Sequence, residues 1–417
     1  MSGKEREGKM MKKFGLTTGA FAAGLVSLGL ISGAFADDKV IRIGVMNDMS
    51  GPYADFQGPG SLLAAKMAVE DYGGRAAGLP VEIISGDHLN KPDVGSAMAQ
   101  QWIDTQGVDA IADVPNSAVA LAVNQIVKDR NKVLLASGAG TDALTGSQCS
   151  PNTVQWTYDT YELGHALGHA VVQRGGKTWY FITADYAFGH DLQNQATDQV
   201  IKDGGKVLGS VALPLGASDF SSPLLQAQSS GAQVVALANA GADETNTLKQ
   251  AAEFGLSKKQ KLVGLVFGLQ NVPPLGLKAA QGLMTVQAWY WDLNDKTRTF
   301  AKRYQARMTN HGMPNDMQAG IYTIVLHYLK AVDKVGSAAD GKKVVEAMKA
   351  MPVDDAVYGK GSIRTDGRGL HPVYLTQVKS PDESKGEWDL FKVLSAIPAN
   401  QAFRPLSEGK CSFIASQ

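Results

Sequence analysis

The sequence predicts an α/β fold with two doubly wound parallel-sheet lobes. Strands and helices alternate regularly from residue 40 onward. Most strand segments are continuous apolar runs, which is the pattern of strands covered by helices on both faces and therefore of parallel sheets. A chain of 417 residues also exceeds what one hydrophobic core usually organises, so two lobes are expected.

The strand segments fall into two groups, each about the size of a doubly wound domain. The first group lies within residues 38–155 and comprises 40–46, 81–85, 110–114 and 133–136. The second group lies within residues 176–290 and comprises 178–183, 206–213, 234–238, 261–265 and 283–288.

Amphipathic helices are predicted between these strands, because apolar residues recur at helical spacing. They cover residues 59–72, 92–105, 118–130, 161–174, 190–203 and 243–254. Later helices follow one another without intervening strands, at 297–310, 317–335 and 341–350. Short strands and turns are expected after residue 352. The late helices must cover a sheet formed earlier, so the chain is expected to cross between lobes more than once.

Residues 1–36 have the pattern of a cleavable export signal. A basic start precedes a short apolar stretch at 14–31, and Ala34-Phe35-Ala36 supplies a small-residue cleavage site. A membrane anchor is disfavoured, because several glycines interrupt the apolar stretch and no stop-transfer flank follows it. We therefore expect a protein exported to the periplasm.

Charge and cysteine content narrow the function further. The first 36 residues hold five of the 40 basic and two of the 40 acidic side chains, so the remainder has a slight acidic excess. This balance does not indicate a nucleic-acid partner. The two cysteines, Cys149 and Cys411, both follow the signal segment. In an oxidising compartment such a pair predicts one disulfide, and two separate buried thiols are the alternative.

Loop motifs occur in a fixed order at the predicted strand ends. They are NDMSGPY at 47–53, SGD at 85–87, NS at 116–117, SGAGT at 137–141 and DYAFG at 185–189. With these motifs the chain resembles type I periplasmic solute-binding proteins of ABC importers, in the leucine/isoleucine/valine-binding branch. The resemblance covers essentially the whole chain after the signal segment.

The resemblance implies a ligand held between two lobes that are joined by a three-strand hinge. The implied first lobe is 37–157 plus 291–362, the second is 158–290 plus 363–400, and 401–417 is a C-terminal tail. It also implies a monomer that has no cofactor, binds a small-molecule carboxylate and delivers it to ABC permease subunits in the inner membrane.

The resemblance places the ligand carboxylate at helix starts of the first lobe. Free backbone N–H groups and the helix dipole attract an anion there, and small residues let the backbone approach closely. The residues expected to bind it are Asn116, Ser117, Gly138, Ala139 and Thr141. In the alternative interpretation Ser117 and Thr141 are only helix caps.

Seven further residues are expected in the cleft. Phe56 matches an aromatic wall in amino-acid binders of the branch, although core packing is an equal alternative. The full set is Ser50, Phe56, Tyr158, Asp159, Phe188, Asn239 and Phe267.

One departure from the branch concerns the ligand ammonium. Amino-acid binders carry an acidic residue after the strand that matches 261–265, whereas the loop 266–271 here reads VFGLQN. A buried ammonium without a counter-charge is costly. The sequence therefore favours an aromatic or apolar acid over a branched-chain-type amino acid. Asp159, Asp185 or Asp243 remains an alternative source of the charge.

Other functional signals are weaker. The GAGTDA run at 138–143 fits a dinucleotide fingerprint, but it lies in the fourth unit rather than the first. His165 and His169 share a helix face without a third metal ligand nearby. No nucleophile–base pair marks an enzyme. A ligand-sensing subunit of the same fold remains the alternative to transport, and an exported α/β enzyme is the less favoured one.

Overall fold

A computed structural model describes residues 39–414, together with Gly15. Apart from Gly15, the predicted signal segment and its cleavage site lie outside the described residues. Within 39–414 no helix is long and apolar enough to cross a membrane.

The first sheet has the strand order β2-β3-β1-β4-β5-β6, and its strands are parallel except for the β2–β3 pair. These strands are β1 (Ile41–Asn47), β2 (Arg75–Ala76), β3 (Leu79–Asp87), β4 (Val108–Asp113), β5 (Val133–Ala136) and β6 (Thr153–Gln155). The helices of the same stretch are α1 (Gly58–Tyr72), α2 (Pro92–Gln106) and α3 (Ser117–Asp129). The short 3₁₀ turn Asp142–Thr145 follows β5.

The second sheet is fully parallel, in the order β10-β9-β7-β8. Its strands are β7 (Thr178–Ala184), β8 (Lys206–Leu213), β9 (Val234–Ala238) and β10 (Lys261–Gly264). The accompanying helices are α4 (Thr160–Gln173), α5 (Ala187–Lys202), α6 (Ser221–Ser229), α7 (Gly241–Glu253), α8 (Val272–Leu275) and α9 (Leu277–Ala280).

The rest of the chain adds helices and two small antiparallel sheets, β11-β15-β16 and β12-β13-β14. The strands are β11 (Met284–Gln287), β12 (Val353–Asp355), β13 (Gly359–Ile363), β14 (Gly369–Leu370), β15 (Val373–Val378) and β16 (Phe391–Ile397). The helices are α10 (Asp295–Gln305), α11 (Asp316–Val335), α12 (Gly341–Lys349) and α13 (Ala399–Ala402).

Successive side chains along a strand point to opposite faces of the sheet, and both faces of each large sheet are covered by helices. In β1, Ile43 and Val45 enter the core that contains α1 and α11, whereas Met46 enters the core formed by α2 and α3. In β7, Phe181 packs with α4 and α5, and Ile182 packs with α6 and α7. The predicted doubly wound α/β class is therefore confirmed.

We call the first sheet with α1–α3, α11 and α12 the first lobe, and the second sheet with α4–α7 the second lobe. Helix α11 packs along α1, which brings a late part of the chain back onto the first sheet as expected. The exact residue boundaries predicted for the lobes and the tail stay a prediction.

One strand differs from its predicted partnership. The segment at 283–288 was expected to be a fifth strand of the second group, but β11 pairs antiparallel with β15. All four residues of β11 are buried, so the apolar run alone does not distinguish a parallel from an antiparallel neighbour. The strand β6 was not predicted, because its sequence, TVQ, contains a single apolar residue.

The predicted disulfide between Cys149 and Cys411 is confirmed. It ties the end of the chain to the loop that follows β5, across 262 residues of sequence. Both half-cystines are buried, and Arg404 of the same C-terminal segment forms an ion pair with Asp142.

Thiol titration of the denatured, unreduced protein should find no free thiol. Replacing both cysteines by serine should lower the free energy of unfolding by roughly 2–5 kcal/mol, because the unfolded chain loses a long-range cross-link. Chemical denaturation of the oxidised protein and the double variant measures the difference. Two free thiols in the unreduced protein would contradict the pairing.

Candidate functional site

A narrow cavity of about 10 Å³ lies between the two lobes, and most of the residues around it are buried. Loops at the carboxyl ends of strands from both sheets contribute to its wall, which is where open α/β sheets bind ligands. The lining residues are Tyr53, Phe56, Gln57, Pro115, Gly138, Tyr158, Tyr186, Phe188, Ala240, Val266 and Met317.

The loop after β1 is shaped by a buried carboxylate. Asp48 accepts hydrogen bonds from the backbone N–H groups of Gly51 (2.6 Å) and Tyr53 (2.8 Å), and from the side-chain amide of Asn90 (2.7 Å). These bonds hold the chain in a tight bend, because a carboxylate satisfies backbone donors that no secondary structure pairs. Tyr53 is thereby fixed at the edge of the cavity.

Gly138, in the loop after β5, forms part of the opposite wall. Its carbonyl accepts a hydrogen bond from the Tyr158 hydroxyl at 2.8 Å and a long one from the Gln57 amide at 3.4 Å. A Cβ atom at this position would lie 2.7 Å from both the Asp113 carboxyl and the Gln57 amide. A larger residue here would have to displace these two side chains, and Tyr158 lines the cavity beside Gly138.

Asp113 lies directly behind Gly138 at the end of β4. Its carboxyl accepts hydrogen bonds from Asn47 (2.8 Å) and Ser137 (3.0 Å). Complete burial raises the pKa of Asp113 to about 7. Its backbone φ is +78°, and that of Val114 is +53°, an unfavourable conformation for a β-branched residue. Strained backbone thus directs the loop from β4 to α3 into the cavity wall.

The second lobe closes the cavity with aromatic side chains from the start of α5. The hydroxyls of Tyr53 and Tyr186 are 2.5 Å apart, so one donates to the other across the cavity. Burial raises the pKa of both phenols, and they stay protonated at neutral pH. Ala242 donates a backbone hydrogen bond to Pro52 at 2.9 Å, which is a second direct link between the lobes.

The residues that line the cavity carry no charged side chain. Val266 contributes the part of the wall that belongs to the loop 266–271. The three carboxylates considered as alternative partners of an ammonium lie elsewhere. Asp159 caps α4, Asp185 pairs with the exposed His190, and Asp243 accepts from the Gly216 backbone.

The structure brings four of the twelve predicted cleft residues to the cavity wall: Phe56, Gly138, Tyr158 and Phe188. The other eight do not line it: Ser50, Asn116, Ser117, Ala139, Thr141, Asp159, Asn239 and Phe267. Whether any of the twelve binds the ligand stays a prediction.

The residues away from the wall have structural contacts of their own. Asn116 caps α3 by accepting from the backbone N–H groups of Ala118 and Val119. Ser50 is exposed and donates to Asp87, and Phe267 packs edge-on against Phe391.

The hydroxyls of the two first-lobe loops are also engaged within the protein. Ser117 accepts from the Thr141 backbone N–H at 3.2 Å. The Thr141 hydroxyl donates to Asp191 at 2.8 Å. The Ala139 carbonyl accepts from the side-chain amide of Gln155.

Seven lining residues were not predicted: Tyr53, Gln57, Pro115, Tyr186, Ala240, Val266 and Met317. Tyr53 and Tyr186 lie inside loop motifs that the sequence already singled out, so their aromatic character was an available signal. Met317 is on α11, more than 250 residues beyond Phe56, and no local pattern could place it at the cavity.

Comparison with known proteins agrees with this architecture. The family model described as periplasmic binding protein matches residues 40–387. A Leu/Ile/Val-binding protein homolog 6 from Brucella melitensis is 26% identical over 381 residues, which are 89% of this chain and 94% of the relative.

Two crystal structures are more similar in sequence. A periplasmic binding protein from Burkholderia mallei is 48% identical with a TM-score of 0.87, covering 89% of this chain and 98% of that one. A branched chain amino acid ABC transporter periplasmic ligand-binding protein from Burkholderia xenovorans is 41% identical with a TM-score of 0.78, covering 89% and 99%.

Replacing Asp113 by asparagine should flatten the pH dependence of stability. A carboxyl whose pKa is raised on folding binds its proton more tightly in the folded state. Asp113 therefore lowers the free energy of unfolding as pH rises from about 4, its unfolded value, to about 7. Thermal unfolding between pH 4.5 and 8 should show a smaller decline for Asp113→Asn than for the parent. Parallel profiles would contradict the raised pKa.

Proposed function

This chain belongs to the family of periplasmic binding proteins, and we propose that it is the substrate-binding component of an ABC importer. In this proposal residues 1–36 are a signal peptide that is removed on export. The mature protein then acts as a monomer in the periplasm, binds a small organic carboxylate between its lobes and delivers it to permease subunits in the inner membrane.

The buried, uncharged and aromatic cavity between the lobes is the observation that carries this proposal. Five of its lining residues are aromatic: Tyr53, Phe56, Tyr158, Tyr186 and Phe188. The lining set contains no serine, cysteine or histidine that could act as a nucleophile or a base. A wall of this kind suits capture of a small molecule as the lobes close over it, by burial and shape rather than by chemical conversion.

Within the carboxylates we propose an aromatic or other apolar acid as the preferred ligand. Aromatic walls bury a ring favourably in offset or edge-on arrangements. The Tyr53–Tyr186 pair has two hydroxyl protons and uses one between its members, which leaves one donor for an acceptor group of the ligand. Neutral donors in a water-excluded cavity bind a carboxylate through charge-assisted hydrogen bonds.

A branched-chain-type amino acid is the alternative ligand, and the name of the Burkholderia xenovorans relative favours it. Its ammonium would have to be buried against a wall without a carboxylate. That arrangement costs several kcal/mol unless a counter-charge is supplied. The wall chemistry therefore supports the acid over the amino acid.

A thermal-shift screen tests the ligand class. Benzoate and hydroxybenzoates should raise the melting temperature by several degrees, and leucine, isoleucine and valine by less. Ligand at about 100 times its dissociation constant contributes roughly 2.7 kcal/mol to the free energy of unfolding. If only the amino acids raise the melting temperature, the aromatic-acid proposal is wrong.

A negative charge placed on the cavity wall should change which class of ligand the protein binds. Val266→Glu puts a carboxylate into the loop where amino-acid binders of this branch carry one. We expect at least tenfold weaker binding of aromatic acids, because two carboxylates repel each other at low effective dielectric. Glutamine has nearly the same shape as glutamate but no charge, so Val266→Gln serves as the matched control. Titration calorimetry of both variants should show the larger loss for glutamate, and equal losses would assign the effect to size.

A further inference from the structure

The carboxylate of Asp191 is bound by three hydrogen-bond donors. One oxygen of Asp191 accepts from the Thr141 hydroxyl (2.8 Å), the Asp142 backbone N–H (3.1 Å) and the Thr160 hydroxyl (2.7 Å). Thr141 and Thr160 are both buried. Hydrogen bonds to an ionised acceptor are stronger than those between neutral groups.

Two of these donors lie in the other lobe. Thr141 and Asp142 follow β5 of the first lobe, whereas Asp191 is on α5, between β7 and β8 of the second lobe. Thr160, the first residue of α4, belongs to the second lobe like Asp191, so its hydrogen bond does not join the lobes. The Thr141 and Asp142 bonds must break if the lobes separate at this edge.

Helix α5 connects these bonds to the ligand cavity. Phe188, which lines the cavity, precedes Asp191 by three residues, so both side chains lie on the same side of α5. Further along the helix, Gln195 donates to the Asp142 carboxylate at 3.1 Å. Movement of α5 away from the first lobe would therefore open the cavity and break these bonds together.

The first-lobe partner is itself held in place. Arg404, in the disulfide-anchored C-terminal segment, forms an ion pair with Asp142 and also donates to its backbone carbonyl. The Asp142 turn is thus fixed on one side by the tail and presents its N–H and the Thr141 hydroxyl on the other.

We propose that Asp191 is an interlobe latch that binds Thr141 and Asp142 of the first lobe and holds the cleft shut. The proposal rests on the binding function given above and deepens it. It assigns the Thr141 hydroxyl to the protein's own carboxylate, so the ligand carboxylate is bound elsewhere in the cavity. The latch acts on opening and closing and does not touch the ligand.

Variants of Asp191 test the latch. Asp191→Ala removes the shared acceptor, and Asp198→Ala removes an exposed carboxylate two turns along the same helix as the matched control. Small-angle scattering without added ligand should give a larger radius of gyration for Asp191→Ala only. Stopped-flow measurement with 4-hydroxybenzoate as the probe should show at least tenfold faster release for that variant. Unchanged scattering and release would overturn the proposal.

A double-mutant cycle separates the latch from direct ligand contact. Thr141→Val and Asp191→Ala should each speed probe release, and the double variant should be no faster than Asp191→Ala alone, because both remove one interaction. Additive effects would mean that Thr141 contacts the ligand itself, and the latch assignment would be wrong. If Asp191→Ala does not fold, scattering from Thr141→Val decides the question.

The scattering measurement tests the latch separately from the proposed function, because it uses no ligand. A probe that never binds would refute the ligand class, while the shape of the protein without ligand would still decide whether Asp191 holds the lobes together.

Discussion

The geometry of the cleft depends on one buried cation, which lies against the segment 156–159 between β6 of the first lobe and α4 of the second. The guanidinium of Arg368 donates to the backbone carbonyls of Trp156 (2.5 Å) and Tyr158 (2.8 Å), and it lies 3.5 Å from the Asp159 carboxylate. It also packs over the ring of Phe403. Arginine suits this place because its fork of donors satisfies several acceptors at once. Arg368 therefore holds both Tyr158, which lines the cavity, and Asp159, which caps α4.

Burying the Arg368 guanidinium is electrostatically unfavourable, and nearby carboxylates offset part of this cost. Burial lowers the pKa of Arg368, and the carboxylates of Asp159 and Glu162 oppose this shift. Burial in turn raises the pKa of Glu162, for which the described residues supply no side-chain hydrogen-bond partner. Removing one member of such a group leaves an uncompensated buried charge, which destabilises far more than loss of a surface pair. The segment 156–159 is thus held by several buried contacts at once.

Local patterns predicted the fold well and the site only in part. The bounds of β5 and β9 agree with the apolar runs, because strands buried on both faces leave a clear signature. The bounds of β8 were also predicted, although it is an edge strand whose residues alternate between exposed and half-buried. Three of the five loop motifs, at 47–53, 137–141 and 185–189, contribute residues to the cavity wall. The contacts of Thr141 were not predicted, because its partner Asp191 is 50 residues away and lies on α5 of the other lobe. A hydroxyl at a helix start looks the same in sequence whether it binds a ligand or a distant side chain.

The enclosure of the cavity has a consequence for solute exchange. A molecule held behind the Tyr53–Tyr186 pair and the Pro52–Ala242 bond leaves only when the lobes separate. Release is then a unimolecular step. Its rate is set by the separation of the lobes and does not depend on the external solute concentration. A pool of such receptors would smooth fluctuations in supply, since each molecule retains its cargo for one opening time. Residence time, more than affinity alone, would set how long captured solute remains available at the membrane.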